Sequence, residues 1–247
     1  MHKKTHSQSN SVLLNMKRIA FFCVLLLFFS NCESKPQKKD ILKKENKEVP
    51  KKKKKKIRKK KIYVTDSIST ENCAEFFTEY GKKNKETKVL LSTRLGDITI
   101  RLYKDTPLHR ASFIYLVKHK YFDTTCFYRV VPNFIVQGGN SDSDDTTEFR
   151  TQLRNYLIPS EFRKNRPHKR GVIAAARDWE YNPEKKSSPF EFYFIQATKD
   201  QSHLNFEHTV FGEIIKGLNV IDKIAAEDID VDEWPRNNIS MKMKVIN

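Results

Sequence analysis

The stretch FYRVVPNFIVQGG, Phe127 to Gly139, decides the fold. Two apolar, β-branched runs flank Pro132-Asn133, a pattern that reads as strand, turn, strand. Arg129 interrupts the first run and Gln137 closes the second. Stripping water from a guanidinium is costly, so a cation in so apolar a strand needs either an acidic partner or an open groove.

Working outward, Thr70–Tyr80 (TENCAEFFTEY) reads as a short amphipathic helix opened by a Thr cap and ended at Gly81. Val89–Thr93 and Ile98–Tyr103 form a hairpin about Gly96-Asp97. Thr106-Pro107 marks a helix start, and Leu108, Ala111, Phe113, Ile114 and Val117 give that helix an apolar face through His119. Ser141–Arg170 is polar and yields few elements. Further strands are expected at Val172–Ala176, Phe192–Ala197, Thr209–Ile215 and Ser240–Ile246, with a second helix over Leu218–Ala225. Many short strands with two core helices predict a mainly β fold, one closed antiparallel barrel capped by helices. About 160 residues are ample for one core.

The remainder of the chain reads differently. Met16-Lys17-Arg18 begins a basic segment, and Ile19–Phe29 is an apolar run of 11 residues ending at Ser30-Asn31-Cys32. That run is too short to span a bilayer and has the length and flanks of a secretory signal. Residues 1–31 are therefore expected to be a signal peptide, with Met16 a possible true start. Phe29-Ser30-Asn31-Cys32 resembles a bacterial lipobox, which implies lipidation at Cys32 and a protein anchored to a membrane of the bacterial envelope on its extracytoplasmic side. Residues 32–64 hold 16 Lys and Arg against four acids and show no apolar periodicity, so they read as a disordered Lys-rich tether. That tether carries +12 of the formal +17, residues 1–31 carry +4, and the part from Thr65 onward is left with +1. A nucleic-acid-binding domain would carry its cationic footprint on the fold itself, so no nucleic-acid partner is expected. Residues 65–87 read as an N-terminal helical extension and 88–247 as the barrel. Cys73 and Cys126 are the two thiols left on the folded part, and the sequence leaves a disulfide and two buried thiols equally open.

The pieces also resemble a known family. Leu95-Gly96-Asp97-Ile98, Tyr121-Phe122-Asp123, the Phe127–Gly139 block, His168-Lys169-Arg170-Gly171, Phe192-Tyr193-Phe194-Ile195, His203-Leu204 and His208-Thr209-Val210-Phe211-Gly212 follow the order found in cyclophilins. Cyclophilins are peptidyl-prolyl cis–trans isomerases with an eight-stranded antiparallel barrel and two helices. The resemblance implies that Arg129 is catalytic. Phe134, Ile135, Phe194, Leu204 and His208 would line the proline pocket, and Gln137 would hydrogen-bond the substrate backbone. Phe192 falls where the family usually has a substrate-binding Gln, Arg177 where it has Asn, and His203 where many members have Trp. Proline-containing polypeptides, among them exported proteins in need of folding, are the implied substrates. Neither metal nor cofactor is implied, and a monomer is the default. The rival expectation is a cyclophilin-like barrel that binds peptides, as chaperone or scaffold, with negligible turnover; the Phe192 and Arg177 departures motivate it. Asp142, Asp144 and Asp145 lack the Gly and closing Glu of an EF-hand and read as a solvated loop. No G-x-S-x-G, H-E-x-x-H or P-loop pattern occurs.

Overall fold

The structure, a computed structural model, describes residues 66–247. The signal segment, Cys32 and the Lys-rich stretch lie outside the described residues. The chain runs α1 (Cys73–Lys83), β1 (Lys88–Thr93), β2 (Gly96–Leu102), α2 (Pro107–Lys118), β3 (Cys126–Val131), β4 (Ile135–Asn140) and α3 (Asp144–Leu153). It continues with β5 (Val172–Ala175), β6 (Phe192–Ile195), β7 (Val210–Lys216), α4 (Leu218–Ala225), β8 (Ile239–Ser240) and β9 (Lys242–Ile246). These strands join one sheet in the order β8-β3-β4-β6-β5-β7-β2-β1-β9, and every pairing is antiparallel.

The expected closing strand is present but broken. β8 pairs with β3 and β9 pairs with β1, and only Met241 separates them. Met241 is buried, and its backbone N–H donates to Thr125. One strand therefore changes partners at Met241 and ties the two ends of the sheet together. This is why the predicted eight strands become nine assigned segments in a nearly closed barrel. Inside it, alternate residues of β1 and β2 (Val89, Leu91, Ile98, Ile100) meet Phe113, Phe122, Phe127, Phe192 and Phe194, with α2 and α4 contributing to the same core.

The end of β4 depends on Gly139. Its φ is +99°, and a Cβ there would lie 2.1 Å from the Phe190 carbonyl oxygen. Alanine at this position must both adopt a disfavoured φ and push β4 away from the chain entering β6. Gly139→Ala is expected to cost more than about 2 kcal/mol. A urea midpoint within error of the parent would refute this.

α1 corrects two expectations: it starts at Cys73 with Asn72 and not a Thr at its N-cap, and Gly81 lies within the helix and does not end it. A Cβ on Gly81 would meet Ala111 Cβ and Arg110 Nη2, each at 3.3 Å, so glycine permits the close crossing of α1 over α2. Arg110 then donates to the carbonyls of Asn84 at 2.8 Å and of Gly81 at 3.4 Å, satisfying the end of α1. Phe76, Phe77 and Tyr80 pack edge-on against Tyr115 of α2. The extension thus covers an aromatic face that α2 would otherwise present to water.

α2 starts where Thr106-Pro107 places it, but Thr106 makes no capping bond. The Glu161 carboxylate does that work, accepting from the N–H groups of Leu108 (3.2 Å) and His109 (2.9 Å). α3 was not expected from the sequence. Ser143 caps it, its Oγ accepting from Thr146 N, and Asp144 and Asp145 fall in its first turn, where the helix dipole favours negative charge. The acidic cluster that read as a solvated loop is thereby a helix start. Cys73 and Cys126 are both free, buried thiols, which resolves the open alternative against a disulfide.

Candidate active site

Register decides which residues share a face, because a shift of one residue in a strand moves a side chain to the opposite side of the sheet. In the β4–β6 pairing Gln137 lies opposite Tyr193 and Ile135 opposite Ile195, while Val136 lies opposite Phe194 and Gly138 opposite Phe192. Phe192 and Phe194 belong to the barrel interior and are 2% and 0% exposed. Tyr193, Ile195, Ile135 and Leu204 belong to a second apolar cluster on the other face, against which Phe134 and Val131 pack. Phe192, expected at a substrate-binding position, and Phe194, expected to line the pocket, are therefore core residues, and both expectations are corrected. Tyr193 takes the place given to Phe194.

The remaining expected residues come together on this outer face. Arg129 lies directly opposite Gln137 in the β3–β4 pairing. Phe134 stacks with the His203 ring at a centroid distance of 5.9 Å. Leu204 ends a short 3₁₀ turn, and the His208 N–H returns to the Leu204 carbonyl at 3.2 Å, which fixes the two residues together. The His208 ring packs edge-on to Tyr193 at 5.5 Å.

Tautomers follow from partners. His208 Nδ1 faces the Ala175 carbonyl oxygen at 3.1 Å and so carries the proton. His168 Nδ1 likewise faces Asn205 Oδ1 at 3.0 Å, which leaves its Nε2 to accept from the Tyr193 hydroxyl at 3.2 Å. This bond lets a tyrosine occupy an apolar pocket wall without an orphaned hydroxyl. Desolvation pushes both histidines down to about 4, so both rings are neutral at neutral pH. Because these folded-state values lie below the ordinary 6.5, the unfolded chain binds protons that the fold refuses as pH falls. Stability should therefore decline from about pH 6.5 toward about 4 and stop responding to these groups below that. Urea midpoints measured between about pH 7 and 5, above most carboxylate titration, should fall; a flat profile would contradict the neutral pocket.

Charges sit at both ends of this face. Arg129 Nε donates to Glu233 Oε2 at 2.6 Å, and the two side chains are 38% and 39% exposed. The arginine thus has the acidic partner that an apolar strand demands, yet the pair remains at an open surface. Gln137 donates its amide to the Tyr128 hydroxyl, and the Tyr128 ring lies 5.7 Å from that of Trp234. At the other end the Arg177 side chain is 3% exposed, donating to the Glu207 carboxylate at 2.7 Å. Its guanidinium lies 4.0 Å from the centre of the Trp179 ring, and that ring stands 5.4 Å from His208. Arg177 is consequently a brace beneath Trp179.

Sequence reasoning missed Tyr193, Tyr128, Glu233 and Trp179. The parity of Ile195 and Ala197 with Tyr193 was a readable signal for the first. Nothing local marks Glu233, which is 104 residues from Arg129.

Residues 88–245 match the model of the family described as cyclophilin type peptidyl-prolyl cis–trans isomerase/CLD. A peptidyl-prolyl cis–trans isomerase of Acinetobacter baylyi is 34% identical over 174 residues, covering 65% of this chain and 87% of that protein. A peptidyl-prolyl cis–trans isomerase-like 3 protein of Dictyostelium discoideum is 32% identical, covering 64% and 94% respectively. Among solved structures, a Cryptosporidium parvum cyclophilin type isomerase determined in the presence of the dipeptide Ala-Pro superposes with a TM-score of 0.54. It shares 21% identity and covers 65% of this chain and 99% of its own, a likeness of fold. The class so defined is an isomerase built on a β-barrel. The chain belongs to the cyclophilin-type peptidyl-prolyl cis–trans isomerase family. The α1 extension lies outside the matched residues.

Proposed function

We propose that this outer face catalyses rotation about X–Pro bonds, with Arg129 as the catalytic residue and Phe134, Ile135, Tyr193, Leu204 and His208 seating the proline ring. The observation that carries this reading is the placement of Arg129 across from Gln137 on an open face beside the outer apolar cluster. Amide resonance sets a barrier of roughly 18–20 kcal/mol to the rotation. In the twisted state the proline nitrogen loses that resonance and becomes a better hydrogen-bond acceptor. A fixed cationic donor binds this state more strongly than either planar isomer, which is the requirement for catalysis. Arginine suits the role because it stays charged and its donors form a planar fork. The pocket needs only to hold the ring while the preceding carbonyl turns. The Cryptosporidium relative was solved with Ala-Pro present, which supports a proline-containing ligand here.

The test is the rate of cis–trans exchange in a short X–Pro peptide, measured by NMR with the full-length chain. Exchange no faster than in buffer would sink the isomerase reading. One observation favours the rival reading of a peptide binder with little turnover: one N–H of the Gln137 amide is already given to Tyr128, which leaves fewer of its groups for a substrate. That reading predicts peptide binding without accelerated exchange.

Exported polypeptides remain the proposed clients, approached from a membrane through acylated Cys32 and the Lys-rich tether, with the barrel acting as a monomer. Acyl labelling that survives Cys32→Ser would remove the anchor from this scheme.

A further inference from the structure

β8 covers the edge of β3 only at Cys126 and Phe127. Beyond them the edge is completed by the loop preceding β8, whose Glu233 carbonyl accepts from Val130 N–H at 2.8 Å. This loop is tightly built. Asp230 Oδ1 accepts from the N–H groups of both Asp232 and Trp234 at 2.9 Å, and the Asp230 carbonyl accepts from Glu233 N–H at 3.2 Å. Glu233 itself is held at φ +64°, a left-handed conformation that a residue with a side chain rarely adopts. Trp234 is pinned by its Nε1–H to Asn238 Oδ1 at 3.0 Å and lies against Tyr128. Among the contacts this arrangement makes with β3 is that of the Glu233 carboxylate on Nε of Arg129.

We propose that Glu233 is a positioning residue for Arg129, holding the guanidinium by its Nε edge so that the terminal nitrogens face the substrate. The inference rests on the isomerase reading above. Among the described residues this guanidinium's hydrogen bond is through Nε, which leaves its two terminal nitrogens for a ligand. A half-exposed ion pair adds little attraction, because water screens it. What it supplies is direction: an arginine side chain has many rotamers, and a catalytic donor must be aimed before the amide twists. A carboxylate beside the cation also withdraws some of its field from the substrate. At this exposure that loss is screened, so orientation outweighs it.

The experiment compares the full-length parent with Glu233→Ala and Glu233→Gln in the X–Pro exchange assay, with kcat and KM separated and the Arg129 Nε–H signal followed by NMR. Glu233→Ala is expected to lower kcat about tenfold with KM within about twofold, and to shift the Nε–H signal toward that of a free arginine. Glu233→Gln keeps an acceptor at the same place and should recover at least about a third of the parent kcat. A purely structural role would lower the thermal midpoint of both variants without separating kcat from KM. Turnover in Glu233→Ala equal to or above the parent overturns the inference while leaving the isomerase reading intact. Parent exchange at the buffer rate overturns both.

Discussion

Replacing Arg129 with alanine lowers X–Pro exchange at least about tenfold while the thermal midpoint stays near that of the parent. The size follows from the bond being removed. A hydrogen bond to a charged group contributes about 1.5–3 kcal/mol, and each 1.36 kcal/mol of lost transition-state binding is about tenfold in rate. The stability side follows from exposure: the Arg129–Glu233 pair is 38% and 39% exposed, and pairs of that kind contribute about 0–1 kcal/mol to folding. Arg129→Lys should not restore the rate, since a point charge on a flexible stem lacks the planar fork held by Glu233. Exchange within about threefold of the parent in Arg129→Ala would show that ring capture and desolvation alone accelerate the rotation.

Phe194→Ala should be the most destabilising pocket-adjacent change, costing about 3–5 kcal/mol. Its ring is fully buried among Phe127, Phe192 and Val136 on the interior side of β6, so truncation leaves a hole that the barrel wall cannot close. The urea midpoint should fall at unchanged slope, and NMR shifts at Ile135 on adding an X–Pro peptide should persist. Tyr193→Phe should behave oppositely. It removes the hydroxyl bonded to His168, costs about 1 kcal/mol, and alters the outer face directly. If Phe194→Ala left stability untouched and abolished peptide shifts, the face assignment of β6 would be reversed.

That assignment marks the boundary of what the sequence discloses. The Phe127–Gly139 block carried its strand–turn–strand reading because β-branched residues and a Pro-Asn turn agree locally. The hairpin at Gly96-Asp97 and the helices at Pro107 and Leu218 were legible for the same reason. β6 was located but its facing was misjudged, since the aromatic run FYF offers apolar residues to both sides and alternation has nothing to distinguish. α3 escaped notice because its polar composition buries only Thr146, Phe149 and Leu153. Glu161 beneath α2 and Glu233 beside Arg129 are carboxylates supplied from far along the chain. Their partners are fixed by folding, and no local pattern announces them.

The broken strand at Met241 has a bearing on how the molecule is made. β9 must hydrogen-bond β1, the first strand of the barrel, while β8 must reach β3. Until that final segment emerges, both flanks of the curled sheet have backbone groups without strand partners, and an open flank can recruit another chain. Ring closure therefore waits on residues 239–246, and contacts between such distant segments are slow to find one another. Before that step an isomerase of this design is itself an incomplete protein awaiting help, in the same condition as the clients proposed for it.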